Sequence, residues 1–139
     1  MAKVFLLGDH SDGQLPFAML ALPTQHDDAV IARCQTWISE NYECASPVEA
    51  MISQSGLSSR TFARRFRSAT GYTAIEYVQV LRVEEAKQIL ESTDDGVDDI
   101  AADVGYDDPS SFRRLFKRAT GINPRQYRQR FRNIGSSVH

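Results

Sequence analysis

The run Phe112-Arg113-Arg114-Leu115-Phe116-Lys117-Arg118-Ala119-Thr120-Gly121 repeats a pattern written fifty residues earlier as Phe62-Ala63-Arg64-Arg65-Phe66-Arg67-Ser68-Ala69-Thr70-Gly71. The match continues past both glycines, pairing Tyr77 with Tyr127, Gln79 with Gln129 and Arg82 with Arg132. It also reaches back through Gly56-Leu57 and Gly105-Tyr106 once the register slips by one residue. A chain that carries one supersecondary unit twice is expected to fold as two copies of it. At about 100° per residue, Phe62, Phe66 and Ala69 share one helix face, and Arg60, Ala63, Arg64 and Arg67 share the opposite one. In the second copy Phe112, Phe116 and Ala119 point inward, and Ser110, Arg113, Arg114 and Lys117 point out. Each copy therefore offers an apolar anchor and a cationic outer face.

The formal net charge of -2 hides a blocked distribution. Residues 1–58 carry 2 basic and 7 acidic side chains, 59–82 carry 5 and 1, 83–108 carry 1 and 10, and 109–139 carry 8 and none. Both basic blocks begin at the repeated helix. Solvated helix faces alone do not account for two cationic clusters at equivalent positions of a repeat, whereas a polyanionic partner does.

At 139 residues, 42% hydrophobic and 24% charged, the chain has the composition of an ordinary globular protein of about one domain's size. No apolar run approaches the roughly 20 residues that cross a bilayer, and Val4-Phe5-Leu6-Leu7 is too short for a signal-peptide core. No membrane association is expected, and the location expected is cytoplasmic. Cys34 and Cys44 have no accompanying histidine pair, so reduced thiols are expected and no metal site. There is no glycine-rich phosphate loop, metal-ligand cluster or nucleophile elbow, and His10, His26 and His139 lie in the flanks. No catalytic residue, no enzyme activity and no cofactor are expected.

Taken in order, residues 1–26 mix a short apolar run with Gly8-Asp9-His10-Ser11-Asp12-Gly13 and prolines, as an arm or linker remnant would. Asp27 and Asp28 open a helix whose Val30, Ile31, Cys34, Trp37 and Ile38 fall at helical spacing and whose first-turn acids suit the macrodipole; it ends near Tyr42. Ser46-Pro47 with Glu49 reads as a capping box, opening a short helix with Val48, Met51 and Ile52 inward and Gly56 at its end. Ser58 caps the repeated helix, so 27–72 forms a helix-turn-helix subdomain. Residues 73–91 hold no Gly or Pro and carry Ile75, Val78, Leu81, Ala86, Ile89 and Leu90 as the inward pattern of one long connecting helix. The unit restarts over 92–139: Val97, Ile100, Ala101 and Val104, the turn at Gly105, a cap at Asp107 or Asp108, and Pro109 opening the second repeated helix. A last helix starts at Pro124 with Asn123 as cap and Tyr127 and Phe131 inward, and Asn133 to His139 frays. The fold class is all-α: two helix-turn-helix subdomains joined by a long helix, seven helices in all.

The run Gly56-Leu57-Ser58, Phe62-x3-Phe66, Gly71, Leu81-Arg82-x3-Ala86-x3-Leu90, Ile100-Ala101-x3-Gly105-Tyr106, Phe112-x3-Phe116-Lys117, Gly121-x2-Pro124 and Tyr127-Arg128 resembles the DNA-binding domain of the AraC/XylS family of bacterial transcription regulators. The likeness covers about Asp27 to Arg132. It implies a homeodomain-like fold, binding of double-stranded DNA in two successive major grooves, regulation of transcription as an activator, and contact with RNA polymerase. Ala74 stands where the pattern has proline, and Ile52 where the second copy has the smaller Ala101; neither change removes a DNA contact. Phe5-Leu6-Leu7-Gly8-Asp9 and Asp12-Gly13-Gln14-Leu15-Pro16-Phe17 are similar to the junction in a subgroup whose amino-terminal half is a class I glutamine amidotransferase-like domain. That likeness implies a sensor domain ahead of this chain; a free-standing regulator with a short arm is the other reading.

A connecting helix of about nineteen residues is roughly 28 Å long, close to the roughly 34 Å between major grooves on one face of B-DNA. Arg64 and Arg114 occupy the same repeat position, and a guanidinium can bond guanine O6 and N7 together, so they are the foremost base readers. The family pattern adds Arg60, Ala63, Ser110 and Arg113. Contact with phosphates alone is the competing role for these positions, since half or more of protein–DNA hydrogen bonds go to the backbone. Ser59, Thr61, Arg67, Ser111 and Lys117 are expected mainly at phosphates, and Arg65, whose equivalent is Leu115, is expected to lay its stem on the core. The paired phenylalanines could stack on bases, but their i, i+4 spacing beside Ala69 and Ala119 favours the core. The competing function is a protein-interaction module that uses the basic faces or the acidic block.

Overall fold

The computed structural model describes residues 26–137, so the expected arm lies outside the described residues apart from His26. Among the described residues there are seven helices and no strand: α1 (Ala29–Asn41), α2 (Pro47–Ser55), α3 (Ser59–Thr70), α4 (Ala74–Ser92), α5 (Val97–Asp103), α6 (Pro109–Thr120) and α7 (Pro124–Ser137). The fold class is that expected. The chain divides into two compact units that part within α4, between Leu81 and Arg82.

In the first unit α1, α2 and α3 close over the start of α4. Ile31, Cys34 and Ile38 meet Met51, Phe62, Phe66, Ala74, Tyr77 and Val78 in one core, with Trp37, Val48, Ile52 and Leu57 packed against it. Phe62 and Phe66 have ring centroids 5.5 Å apart, and Phe66 meets Tyr77 edge-on at 5.3 Å. Each fully buried phenylalanine is worth about 2–3 kcal/mol of transfer free energy, which for so small a unit is a large share of what holds it. The buried Gln35 donates from Nε2 to the Tyr77 hydroxyl at 3.1 Å, while its Oε1 lies 2.7 Å from Nε2 of His26.

The second unit repeats the plan. Val83, Ala86 and Leu90 of α4, Ile100, Ala101 and Val104, and Phe112, Leu115, Phe116 and Ala119 of α6 are all buried. Phe112 and Phe116 stand 5.8 Å apart, and Phe116 meets Tyr127 edge-on at 5.6 Å, the same aromatic order as Phe62, Phe66 and Tyr77. Tyr127 donates its hydroxyl to Glu91, and Arg128 Nε donates to the Leu90 carbonyl at 3.1 Å, tying α7 to the end of α4. Burial and the neighbouring carboxylate both push the Tyr127 hydroxyl well above its ordinary pKa, so it stays a donor.

Several local expectations need correction. Asp28 is the N-cap of α1, its side chain accepting from the Ile31 amide, and the first turn itself holds no acid. Ser46 makes no side-chain cap bond: its backbone sits at φ -133°, ψ 68°, away from the extended geometry of the working caps Asp28, Ser58 and Asp108. The capping boxes occur instead at Thr73 with Glu76 and at Asn123 with Gln126, each closed by two reciprocal bonds of 2.8–3.1 Å. Ile75 is 60% exposed and Phe131 43% exposed, so neither faces inward. Residues 133–137 continue α7 rather than fraying. Ile52 is half-buried against the first core, which takes the larger side chain at its margin where Ala101 is fully enclosed.

Candidate nucleic-acid interface

The second helix of each helix-turn-helix, α3 or α6, is held at both ends by the backbone and by short polar caps. The Ser58 side chain accepts from the Thr61 amide at 3.2 Å, and Asp108 accepts from the Ser110 amide at 3.0 Å. At the other end the Gly71 amide bonds the Arg67 carbonyl at 2.8 Å and the Gly121 amide bonds that of Lys117 at 2.7 Å. Arg67, Lys117 and Arg118 lie in the last turns, where cations suit the helix dipole. With Phe62 and Phe66, or Phe112 and Phe116, locked inward, the opposite face of each helix is turned to solvent.

Each expected base reader lies on that face: Arg60, Ala63 and Arg64 on α3 and Ser110, Arg113 and Arg114 on α6 are all exposed. So are Ser59, Arg67 and Lys117; Thr61 and Ser111 are half-buried. The structure thus gathers the expected base readers of each helix onto one exposed face within its own unit, with Thr61 and Ser111 at its margin. Beside α3, Ala63, Arg64, Arg67 and Ser68 line an open recess of about 490 Å³ floored by Thr73 and Ala74. Arg64 makes no side-chain hydrogen bond or ion pair among the described residues. Its counterpart Arg114 donates from Nη2 to the Ser111 hydroxyl at 3.3 Å, and that hydroxyl donates onward to Asp108 at 3.2 Å.

Arg65 is half-buried, and its head group takes a role that the sequence did not show. Its Nε and Nη2 hold the two carboxylate oxygens of Asp28 at 2.9 and 2.8 Å, a bidentate pair between α3 and the cap of α1. That bond holds the Asp28 carboxyl down, from its ordinary 3.8 to about 2, against the opposing cost of desolvation. Where the second copy buries Leu115, the first copy bridges two helices with charge. A second pair went unread in the sequence: Asp98 of α5 accepts from Nη2 of Arg113. Asp98 is one of the acids of the block at 83–108; the signal that singles it out is the repeat, which sets Glu49 opposite Ala63 in the first copy and Asp98 opposite Arg113 in the second.

Among the described residues no group of His, Cys, Asp and Glu could hold a metal ion, and no helix is long and apolar enough to cross a membrane. Residues 51–130 match the family model described as "Helix-turn-helix domain". The chain is 33% identical over 119 residues to the MmsAB operon regulatory protein of Pseudomonas aeruginosa, covering 86% of this chain and 38% of that protein. It is 33% identical over 105 residues to the HTH-type transcriptional activator RhaS of Escherichia fergusonii, covering 76% of this chain and 38% of that one. Among solved structures, the DNA-binding domain of AdpA in complex with a target DNA aligns with a TM-score of 0.73 at 33% identity, covering 76% of this chain and 96% of that one. The chain belongs to the AraC-type helix-turn-helix family of DNA-binding transcription regulators. The C-terminal domain of the response regulator AraT from Geobacillus stearothermophilus, at TM-score 0.70 and 28% identity, has the same fold. The family is one of regulators, not enzymes. The chain spans about two fifths of the length of the curated relatives it matches.

Proposed function

We propose that this chain reads double-stranded DNA by sequence, α3 and α6 entering two successive major grooves, and thereby sets transcription of bacterial genes as an activator. Arg60, Ala63, Arg64, Ser110, Arg113 and Arg114 face the base edges, and Ser59, Thr61, Arg67, Ser111 and Lys117 hold the phosphates that fix each helix in register. The observation that carries the reading is the repeated helix itself: two capped helices each bury paired phenylalanines and expose arginine at the same position, Arg64 and Arg114. Arginine there offers a planar, permanently charged fork that suits guanine as well as phosphate. Activation implies contact with RNA polymerase in the cytoplasm, and effector control implies a sensor domain joined ahead of residue 27. A mobility shift on genomic fragments in a large excess of random competitor tests the binding. Complexes that survive the competitor support sequence-specific DNA binding; complexes lost in proportion to competitor would leave only general attraction to polyanions.

A further inference from the structure

We propose that Asp98 is a positioning residue for Arg113, fixing that guanidinium in the geometry with which the second unit reads one base pair. The inference rests on the reading of Arg113 as a base contact and adds what aims it. Asp98 lies in the first turn of α5, the first helix of the helix-turn-helix, and its Oδ1 takes the Nη2 hydrogen of Arg113 on the exposed face of α6. Both side chains stand well out in solvent, 66% and 46% exposed, so neither is there to fill the core. A guanidinium has five N–H donors, and a carboxylate engaging one Nη2 hydrogen leaves one two-donor edge, the second Nη2 hydrogen with its neighbour on Nη1 or Nε, for a guanine.

Two physical effects follow from that contact. Arginine loses much rotamer freedom on binding, and holding it beforehand removes part of that cost for the one geometry the carboxylate favours. The carboxylate also cancels much of the local charge, so Arg113 is drawn less to any phosphate and more to a partner that offers directional acceptors. The first unit differs: Glu49 stands at the equivalent place, but α3 carries Ala63, with which a carboxylate can form no ion pair, and Glu49 has no ion pair among the described residues. The buttress is present only where there is an arginine to aim. The neighbouring reader Arg114 is steadied in a weaker way, through the hydroxyl of Ser111 and Asp108.

The test compares base preference, measured as relative Kd over all four base pairs at each position of the selected site, for the whole chain and for Asp98→Asn, Arg113→Ala and the double variant, with melting curves alongside. Asp98→Asn should lower preference at the single base pair whose discrimination Arg113→Ala abolishes, by roughly threefold to tenfold, while raising affinity for random DNA about twofold or more. The double variant should match Arg113→Ala at that pair. Thermal stability should hold, because the side chain is largely in solvent. If Arg113→Ala relaxes one base pair and Asp98→Asn leaves it untouched, Asp98 is only a solvated charge and the proposal fails while Arg113 remains a reader. If Asp98→Asn sharpens the preference, Asp98 masks Arg113 and positioning is wrong. If Arg113→Ala changes no base preference, the assignment of Arg113 itself fails and takes the proposal with it.

Discussion

At the scale of single residues, charge on the exposed faces divides into groups free to meet DNA and groups already committed. Arg64 has no partner among the described residues, whereas Arg65, one position along, is bound at both ends of its fork by Asp28. Arg64→Ala and Arg114→Ala should each cost about 1–3 kcal/mol on the best site and relax discrimination at one base pair, measured by competition against single-base variants. Lys117→Ala should weaken all sequences alike and lower the salt slope by about one, with preferences unchanged. The Asp28–Arg65 pair acts on stability instead. A carboxyl whose pKa is depressed on folding stabilises the native state above its unfolded value and loses that contribution as pH falls through the folded one. Here the loss runs from about 3.8 down to about 2. Because solvent reaches the pair, its contribution to stability is small. Denaturant titration of Arg65→Ala should therefore show a small deficit at pH 7 that shrinks toward pH 2; a deficit independent of pH would mean that packing, not charge, is lost. The pair was not legible in the sequence: the equivalence with Leu115 gave Arg65 an inward stem but could not show that Asp28, 37 residues away, would meet its head group.

At the scale of elements, the repeat is copied down to individual bonds. Thr70 Oγ1 donates to the Phe66 carbonyl at 2.8 Å and accepts from the Tyr72 amide at 3.0 Å; Thr120 does the same with Phe116 and Ile122 at 2.9 and 3.3 Å. The glycines that follow have φ of 82° and 88°, with open space where a Cβ would stand, so the backbone conformation alone requires glycine. Gly71→Ala and Gly121→Ala should each cost about 1 kcal/mol in a thermal melt without moving base preferences. Helix bounds were readable because caps, glycines and prolines are local signals. The inward faces of α4 and α7 were read less well. α4 buries Tyr77 and Val78 in one unit and Val83, Ala86 and Leu90 in the next, so apolar spacing along it does not describe one stripe. Apolar spacing alone therefore assigns Ile75 to the core, although its repeat equivalent, Arg125, marks the position as outward. Phe131, in the second half of α7, stays exposed because the second core is already closed by Phe116 and Tyr127.

At the scale of the whole molecule, the two units carry different side chains at the proposed reading positions: Arg60 and Ala63 on one, Ser110 and Arg113 on the other. On that proposal one chain carries two unlike reading heads, so a single copy should suffice for two half-sites and the target should not be palindromic. Log affinity should fall steeply with log salt, as the cationic faces release on the order of six or more counterions. The measurement that tests the account most directly is selection of bound sites from random DNA, made with the chain and repeated with Arg64→Ala and Arg114→Ala. The account expects an asymmetric site with two informative stretches about one helical turn apart, and each variant to lose preference within one stretch only. A single palindrome contacted once per protomer, or a site whose base preferences both variants leave unchanged, would contradict it.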